Sequence, residues 1–208
     1  MRLGILKFMA FMVGHLPRPM LLAIGRFVGL LAFKLDKKHR GIAVDNIKRA
    51  FDRSMTDEVA GDTAKGVFKN LGMTALEFVK LPWLKHKDLN GYVELVGKEN
   101  LDGALKKGRG IIILTAHFGN WELMGVALAL YGYPMDVVVR SSDSPVFEAF
   151  IKWTRTQCGN IVVPKHRSMR RLLTTLKNNG SAGILIDQNV AHVEGVFVDF
   201  FGIPACTN

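Results

Sequence analysis

The chain has 208 residues, 49% of them apolar, with seven prolines and no Ser- or Gln-rich tract. That composition excludes a largely disordered polymer and a disulfide-stapled miniprotein, and it suits one domain with a buried core. Its 28 Lys plus Arg against 18 Asp plus Glu leave a net charge of +10, which calls for anionic company: nucleic acid, an acidic protein or membrane phosphates. A mean hydropathy of +0.17 is high for so basic a chain and favours the membrane surface. Nucleic-acid binding is disfavoured further because no interleaved aromatics or reading motif accompany the charge. Cys158 and Cys206 have no CxxC partner, so the thiols suggest a reducing compartment and no structural metal.

The first 33 residues are the most hydrophobic, but Lys7, Pro17, Arg18, Pro19 and Arg26 interrupt them. No uncharged run reaches the 18 or more apolar residues of a spanning helix. No small-residue cleavage site follows, which argues against a secretory signal peptide. The pattern predicts two helical pieces, about 3–16 and 20–35, broken at Pro17-Arg18-Pro19 and suited to a membrane interface. The basic cluster Lys34, Lys37, Lys38, His39 and Arg40 that follows strengthens this reading, with ordinary solvated charge as the alternative. Residues 1–40 are accordingly read as a membrane-interface segment and 41–208 as an α/β domain.

Apolar residues recur at helical spacing over 42–51 and 56–80, with Val59, Ala64, Val67, Phe68, Leu71, Ala75, Leu76 and Val79 marking the inner face of the longer helix. Thr56-Asp57-Glu58 signals its start and Pro82 its stop. Beyond residue 90 the rhythm becomes strand, turn, helix. Runs at 111–116, 137–139, 161–163 and 184–186 are short and rich in branched residues, and helical patterns lie at about 121–131, 145–157 and 167–178. Strands buried on both faces and separated by helices predict an α/β fold with a mostly parallel sheet and flanking helices, preceded by an α-helical, membrane-proximal N-terminal region. At the end, Phe200, Phe201, Gly202, Ile203 and Pro204 run to Asn208 with no closing helix or strand expected, as though the chain stops within its fold.

Ligands of open α/β sheets gather at the carboxyl ends of strands. The first strong strand delivers Thr115-Ala116-His117-Phe118-Gly119-Asn120-Trp121-Glu122 to such an end. Asn120 can cap the next helix, placing Glu122 in its first turn, where the helix dipole favours a carboxylate. Gly119 supplies backbone freedom for the loop to fold back. Glu122 could then accept from one imidazole N–H of His117 and leave the other nitrogen as a base. A histidine near a glutamate is commonly structural; the strand-end position is what raises this one to a candidate acid-base pair with no nucleophile of its own. Arg140 follows the second strand, Arg155 lies near the end of the next helix, and Lys165, His166, Arg167, Arg170 and Arg171 follow the third strand. Guanidinium groups suit phosphate and carboxylate, with solubilising charge the alternative, above all for Arg171. Asp187 and Gln188 end the fourth strand, where they could orient an arginine or a hydroxyl. Motifs for serine hydrolases, P-loop NTPases, dinucleotide-binding dehydrogenases and zincins are all missing, so neither cofactor nor metal is expected.

The block His117-Phe118-Gly119-Asn120-Trp121-Glu122 resembles the H-x4-[DE] motif of glycerolipid-type acyltransferases, in the HFGNWE form of the bacterial lipid A biosynthesis acyltransferases. Val139-Arg140, Arg155 with Gly159, Asp187-Gln188 and Phe200-Phe201-Gly202-Ile203-Pro204 resemble further blocks of that family, in order. Ser141 and Ser142 depart from it, standing where a proline often follows the arginine. Members of that family continue well past the last block, which reads this chain as C-terminally incomplete. The resemblance implies transfer of a fatty acyl group from an acyl-carrier-protein thioester to a hydroxyl of a phosphorylated glycolipid, a lipid A precursor, at the cytoplasmic face of the bacterial inner membrane. His117 would be the base and Glu122 its orienting carboxylate. Arg155, Arg140, Asp187, Gln188 and Asn120 would bind substrate or position those that do. Another glycolipid acceptor, such as a phosphatidylinositol mannoside, and a non-catalytic membrane-associated binding protein are the alternatives.

Overall fold

The computed structural model describes residues 2–51, 54–139, 144–191 and 195–207. They form two compact units, Met1–His15 with Phe78–Ile186 and Leu16–Glu77 with Asp187–Asn208, limits that differ from a division at residue 40.

The first unit is α/β. It contains α1 (Arg2–Gly14), α5 (Lys98–Leu105), β1 (Ile111–Thr115), α6 (Trp121–Leu130), β2 (Met135–Val139), α7 (Pro145–Thr156), β3 (Ile161–Pro164), α8 (Ser168–Lys177) and β4 (Ser181–Leu185). The strands form a parallel sheet in the order β1-β4-β2-β3. β4 begins three residues before the branched run that predicts it. Its first residues, Ser181, Ala182 and Gly183, are small and buried. A Cβ on Gly183 would stand 2.6 Å from the Met135 sulfur. Helix α5 escapes the sequence reading because it is short and contains Gly103, yet Leu101 and Leu105 pack against Leu128, Tyr133 and Met135. A second core of Leu81, Leu84, Leu89, Leu123, Val126 and Ala127 lies against the other side of α6.

Two buried polar side chains tie strands to helices. Asp136, 4% exposed in β2, accepts from Thr175 Oγ1 at 2.5 Å and from Arg171 Nε at 2.6 Å, both on α8. Arg171, read from sequence as solubilising or anion-binding charge, therefore neutralises a buried strand carboxylate. Asn160 accepts from the Met135 N–H at 3.0 Å and donates to the Gly125 carbonyl at 2.9 Å, fastening the start of β2 to α6. α1 docks on α7 through Lys7, whose Nζ lies 4.4 Å from the Trp153 ring centroid, and its Phe11 and His15 pack against Trp83 in the turn that follows residue 80. Its opposite face carries exposed Ile5, Phe8, Met9 and Met12, an i, i+3, i+4, i+7 stripe.

The second unit holds α2 (Arg18–Leu35), α3 (Lys37–Ala50), most of α4 (Asp57–Lys80) and a hairpin of β5 (Val196–Phe200) and β6 (Ile203–Thr207). Helices α2 and α4 touch through glycines. A Cβ on Gly25 would stand 2.7 Å from the Gly72 carbonyl oxygen, and one on Gly29 would collide with that of Phe68. Asp36 caps α3 by accepting from the His39 N–H at 3.0 Å. The expectation of no closing strand is corrected by the hairpin. Phe201 (φ 53°) and Gly202 (φ 71°) form a two-residue turn, both residues left-handed, that reverses the chain. The sequence reading took Phe-Phe-Gly only as a motif and overlooked Phe-Gly as a turn, because phenylalanine rarely accepts a positive φ.

No single helix among the described residues is long and apolar enough to cross a membrane. α1 and α2 reach that length and apolar content only together, with the chain broken between them.

Candidate functional site

The loop from β1 to α6 presents the histidine. Residues 116–120 leave the carboxyl end of β1, and Gly119 takes φ 59°, a conformation open to glycine without strain. Asn120 closes the loop as the α6 cap, its side-chain oxygen accepting from the Leu123 N–H at 3.0 Å. The His117 ring is half-buried and meets Trp121 edge-on, with centroids 5.1 Å apart. Phe118 beside it is 87% exposed.

Glu122 stands in the first turn of α6 and Arg155 in the last turn of α7. Each charge suits its helix end. They form a two-pronged pair: Arg155 Nε donates to Glu122 Oε2 at 2.9 Å and Nη2 to Oε1 at 2.5 Å. The side chains are 14% and 22% exposed, so the pair is largely withdrawn from water. Sequence reasoning offers Asp187 as a carboxylate that could orient an arginine; the carboxylate paired with Arg155 is Glu122. Each carboxylate oxygen keeps a second lone pair, so Glu122 retains acceptor capacity beyond the arginine.

The other sequence-marked residues lie elsewhere. Arg140 falls outside the described residues, one position past the end of β2. Asp187 and Gln188 are exposed and open the last segment of the second unit. Sequence reasoning passes over Trp121, which braces the His117 ring, and Asn160, which follows Gly159 (φ 101°) and ties the start of β2 to α6. The signal was present: both sit next to motif residues. Cys158, three residues past Arg155, donates its thiol to the Arg155 carbonyl at 3.4 Å. Burial pushes that thiol's pKa up, which keeps it protonated and a poor nucleophile. Beside Asn120, α6 and residues 93–95 enclose a groove of about 250 Å³ whose walls include Val93, Leu95, Leu123 and Met124.

Fold and site together define an α/β protein with a histidine at the carboxyl end of a parallel strand and, five residues on, a glutamate clamped by an arginine. The chain belongs to the bacterial lipid A biosynthesis acyltransferase family, whose model matches residues 3–208. It is 25% identical over 199 residues to the lipid A biosynthesis palmitoleoyltransferase of Escherichia coli K12, covering 93% of this chain and 63% of that protein. The lauroyltransferase of the same organism is 22% identical over 93% of this chain and 62% of its own length. A phosphatidylinositol mannoside acyltransferase of Mycobacterium tuberculosis is 30% identical over 62% of this chain and 42% of its own length. The chain thus spans less than two thirds of the length of these relatives.

Proposed function

We propose that this chain carries the acyl-transfer site of a membrane-associated enzyme that moves a fatty acyl group from an acyl-carrier-protein thioester to a hydroxyl of a lipid A precursor. The observation that carries the reading is the strand-end His117 followed by the Glu122–Arg155 clamp. Neutral His117 takes the proton of the acceptor hydroxyl as its oxygen attacks the thioester carbonyl. The tetrahedral adduct collapses, the carbon–sulfur bond breaks, and the imidazolium returns the proton to the departing thiolate. Glu122 holds the ring in one tautomer and faces the imidazolium charge, while Arg155 keeps that carboxylate in place. Arg140, which follows β2, contacts the acceptor or its phosphate. Transfer is direct, through a ternary complex, in keeping with a Cys158 thiol held protonated. The groove beside Asn120 suits hydrocarbon.

The exposed apolar stripe of α1 supports attachment to a membrane, and a phosphorylated acceptor and an acyl-carrier-protein donor place the reaction at the cytoplasmic face of the inner membrane. Phosphatidylinositol mannoside as acceptor is the second reading, favoured by the 30% identity to an acyltransferase of that name. Mass spectrometry of lipids from cells with and without the gene separates them. Loss of one acyl chain from lipid A supports the first reading, and loss from a mannoside the second. Unchanged acylation of both contradicts the enzymatic reading.

A further inference from the structure

Helix α8 carries an outward face that neither the core nor the acyl-transfer site uses. Met169 and Leu173, one turn apart, are 69% and 60% exposed, whereas Leu172, further round the helix, is buried. With Arg170, Thr174 and Lys177 they line a shallow groove of about 470 Å³. Lys165 and His166, both exposed, precede the helix. Arg171, turned the other way, is committed to Asp136. The result is two aliphatic side chains ringed by cations along a helix roughly 15 Å long.

Chain order fixes where this face begins. α8 starts just past the carboxyl end of β3, the edge of the sheet at which β1 delivers His117. β1 and β3 are the outer strands of the order β1-β4-β2-β3. Three strand spacings of about 4.8 Å put the two strand ends roughly 14 Å apart. A thioester on a long flexible arm bridges that distance; one bound directly to a protein surface does not.

We propose that the Met169/Leu173 face of α8, with Arg170 and Lys177, is the docking surface for the acidic carrier protein that presents the acyl thioester. The inference rests on the donor assigned above. Charge complementarity selects the occupant: a small apolar centre in a cationic rim fits an acidic protein surface with one or two apolar residues at its middle. A lipid bilayer would ask for a wider apolar face with an aromatic, which α1 supplies with Ile5, Phe8, Met9 and Met12 and α8 does not.

The test measures binding of acyl carrier protein, loaded with a non-hydrolysable acyl analogue, to the full chain by fluorescence anisotropy at low and moderate salt. Arg170→Glu/Lys177→Glu and Leu173→Ser are compared with the parent, and circular dichroism checks folding. Expected are binding that weakens as salt rises and a loss of at least about tenfold for the charge reversal, because rim and centre act together. Carrier binding by the parent that the folded variants retain within twofold overturns the docking surface and leaves the donor assignment standing. No carrier binding by the parent overturns both. Loss of binding to anionic phosphatidylglycerol vesicles in the α8 variants, with carrier binding unchanged, would assign the face to the membrane and also overturn the proposal.

Discussion

Replacing Arg155 by methionine removes both donors from Glu122 and leaves a carboxylate, 14% exposed, facing an aliphatic chain. Exposed ion pairs contribute about 0–1 kcal/mol, and stranding one partner of a buried pair costs about 3–5 kcal/mol. With about four-fifths of the pair withdrawn from water and two charge-assisted bonds broken, the expected cost is about 2–3 kcal/mol. Glu122→Gln keeps one acceptor oxygen and removes the charge, so it costs less, about 1–2 kcal/mol. The double variant Glu122→Gln/Arg155→Met no longer strands a charge. Its destabilisation falls short of the sum of the singles by about 1.5 kcal/mol. Urea denaturation followed by tryptophan fluorescence reads this cycle well, because Trp83, Trp121 and Trp153 all lie in the first unit and two of them flank the pair. A coupling below about 0.5 kcal/mol, the scatter of independent sites, would refute the clamp as a structural unit.

Three further outcomes follow from the same geometry. Gly72→Ala places a methyl against the Gly25 carbonyl and 2.7 Å from the Gly29 nitrogen, and lowers stability by about 1–3 kcal/mol. Gly66→Ala on the same helix meets nothing within 4 Å and raises it by about 0.5–1 kcal/mol; melting curves that rank the two in the opposite order contradict the glycine contact. Asp102 bonds Lys98 at 2.7 Å and Tyr133 at 2.5 Å, and Lys98 first, then Tyr133, holds its pKa below the usual carboxylate value. A depressed folded pKa gives stability that is present above the unfolded pKa and lost as pH falls through the folded one. Asp102→Asn therefore lowers the melting temperature at pH 7, and the gap to the parent narrows below about pH 4; a gap that is constant from pH 7 to pH 3 argues against the pair. Phe8→Asp/Met12→Asp removes two exposed anchors from α1, and since each is worth about 1.5 kcal/mol or more when buried, vesicle co-sedimentation should fall at least about tenfold.

Much of the fold was legible because short branched runs and amphipathic helices have distinct periods. The parallel sheet, α6, α7 and the ends of α4 follow from them directly. What escaped was written in small or conformationally unusual residues. Ser181, Ala182 and Gly183 lack the bulk that marks a strand, and the hairpin turn relies on a phenylalanine at positive φ. The glycines joining α2 to α4 have meaning only once two distant segments touch. At the site, the spacing of His117 and Glu122 was readable, as was the Asn120 cap. The partner of Glu122 was not, since the pairing with Arg155 spans 33 residues and depends on how α6 and α7 pack. Arg171 misled for the same reason: its buried partner, Asp136, sits in a strand whose pattern gives no hint of a carboxylate inside.

The central claim is that His117 is the base of a direct acyl transfer. It is tested most directly by the initial rate of transfer from acyl-carrier-protein thioester to a lipid A precursor, for the parent and for His117→Ala, with matched melting curves. The account predicts a fall of about 10²- to 10⁴-fold in the variant, with no acyl-enzyme trapped in either protein. Turnover by a folded His117→Ala within a few-fold of the parent would contradict it.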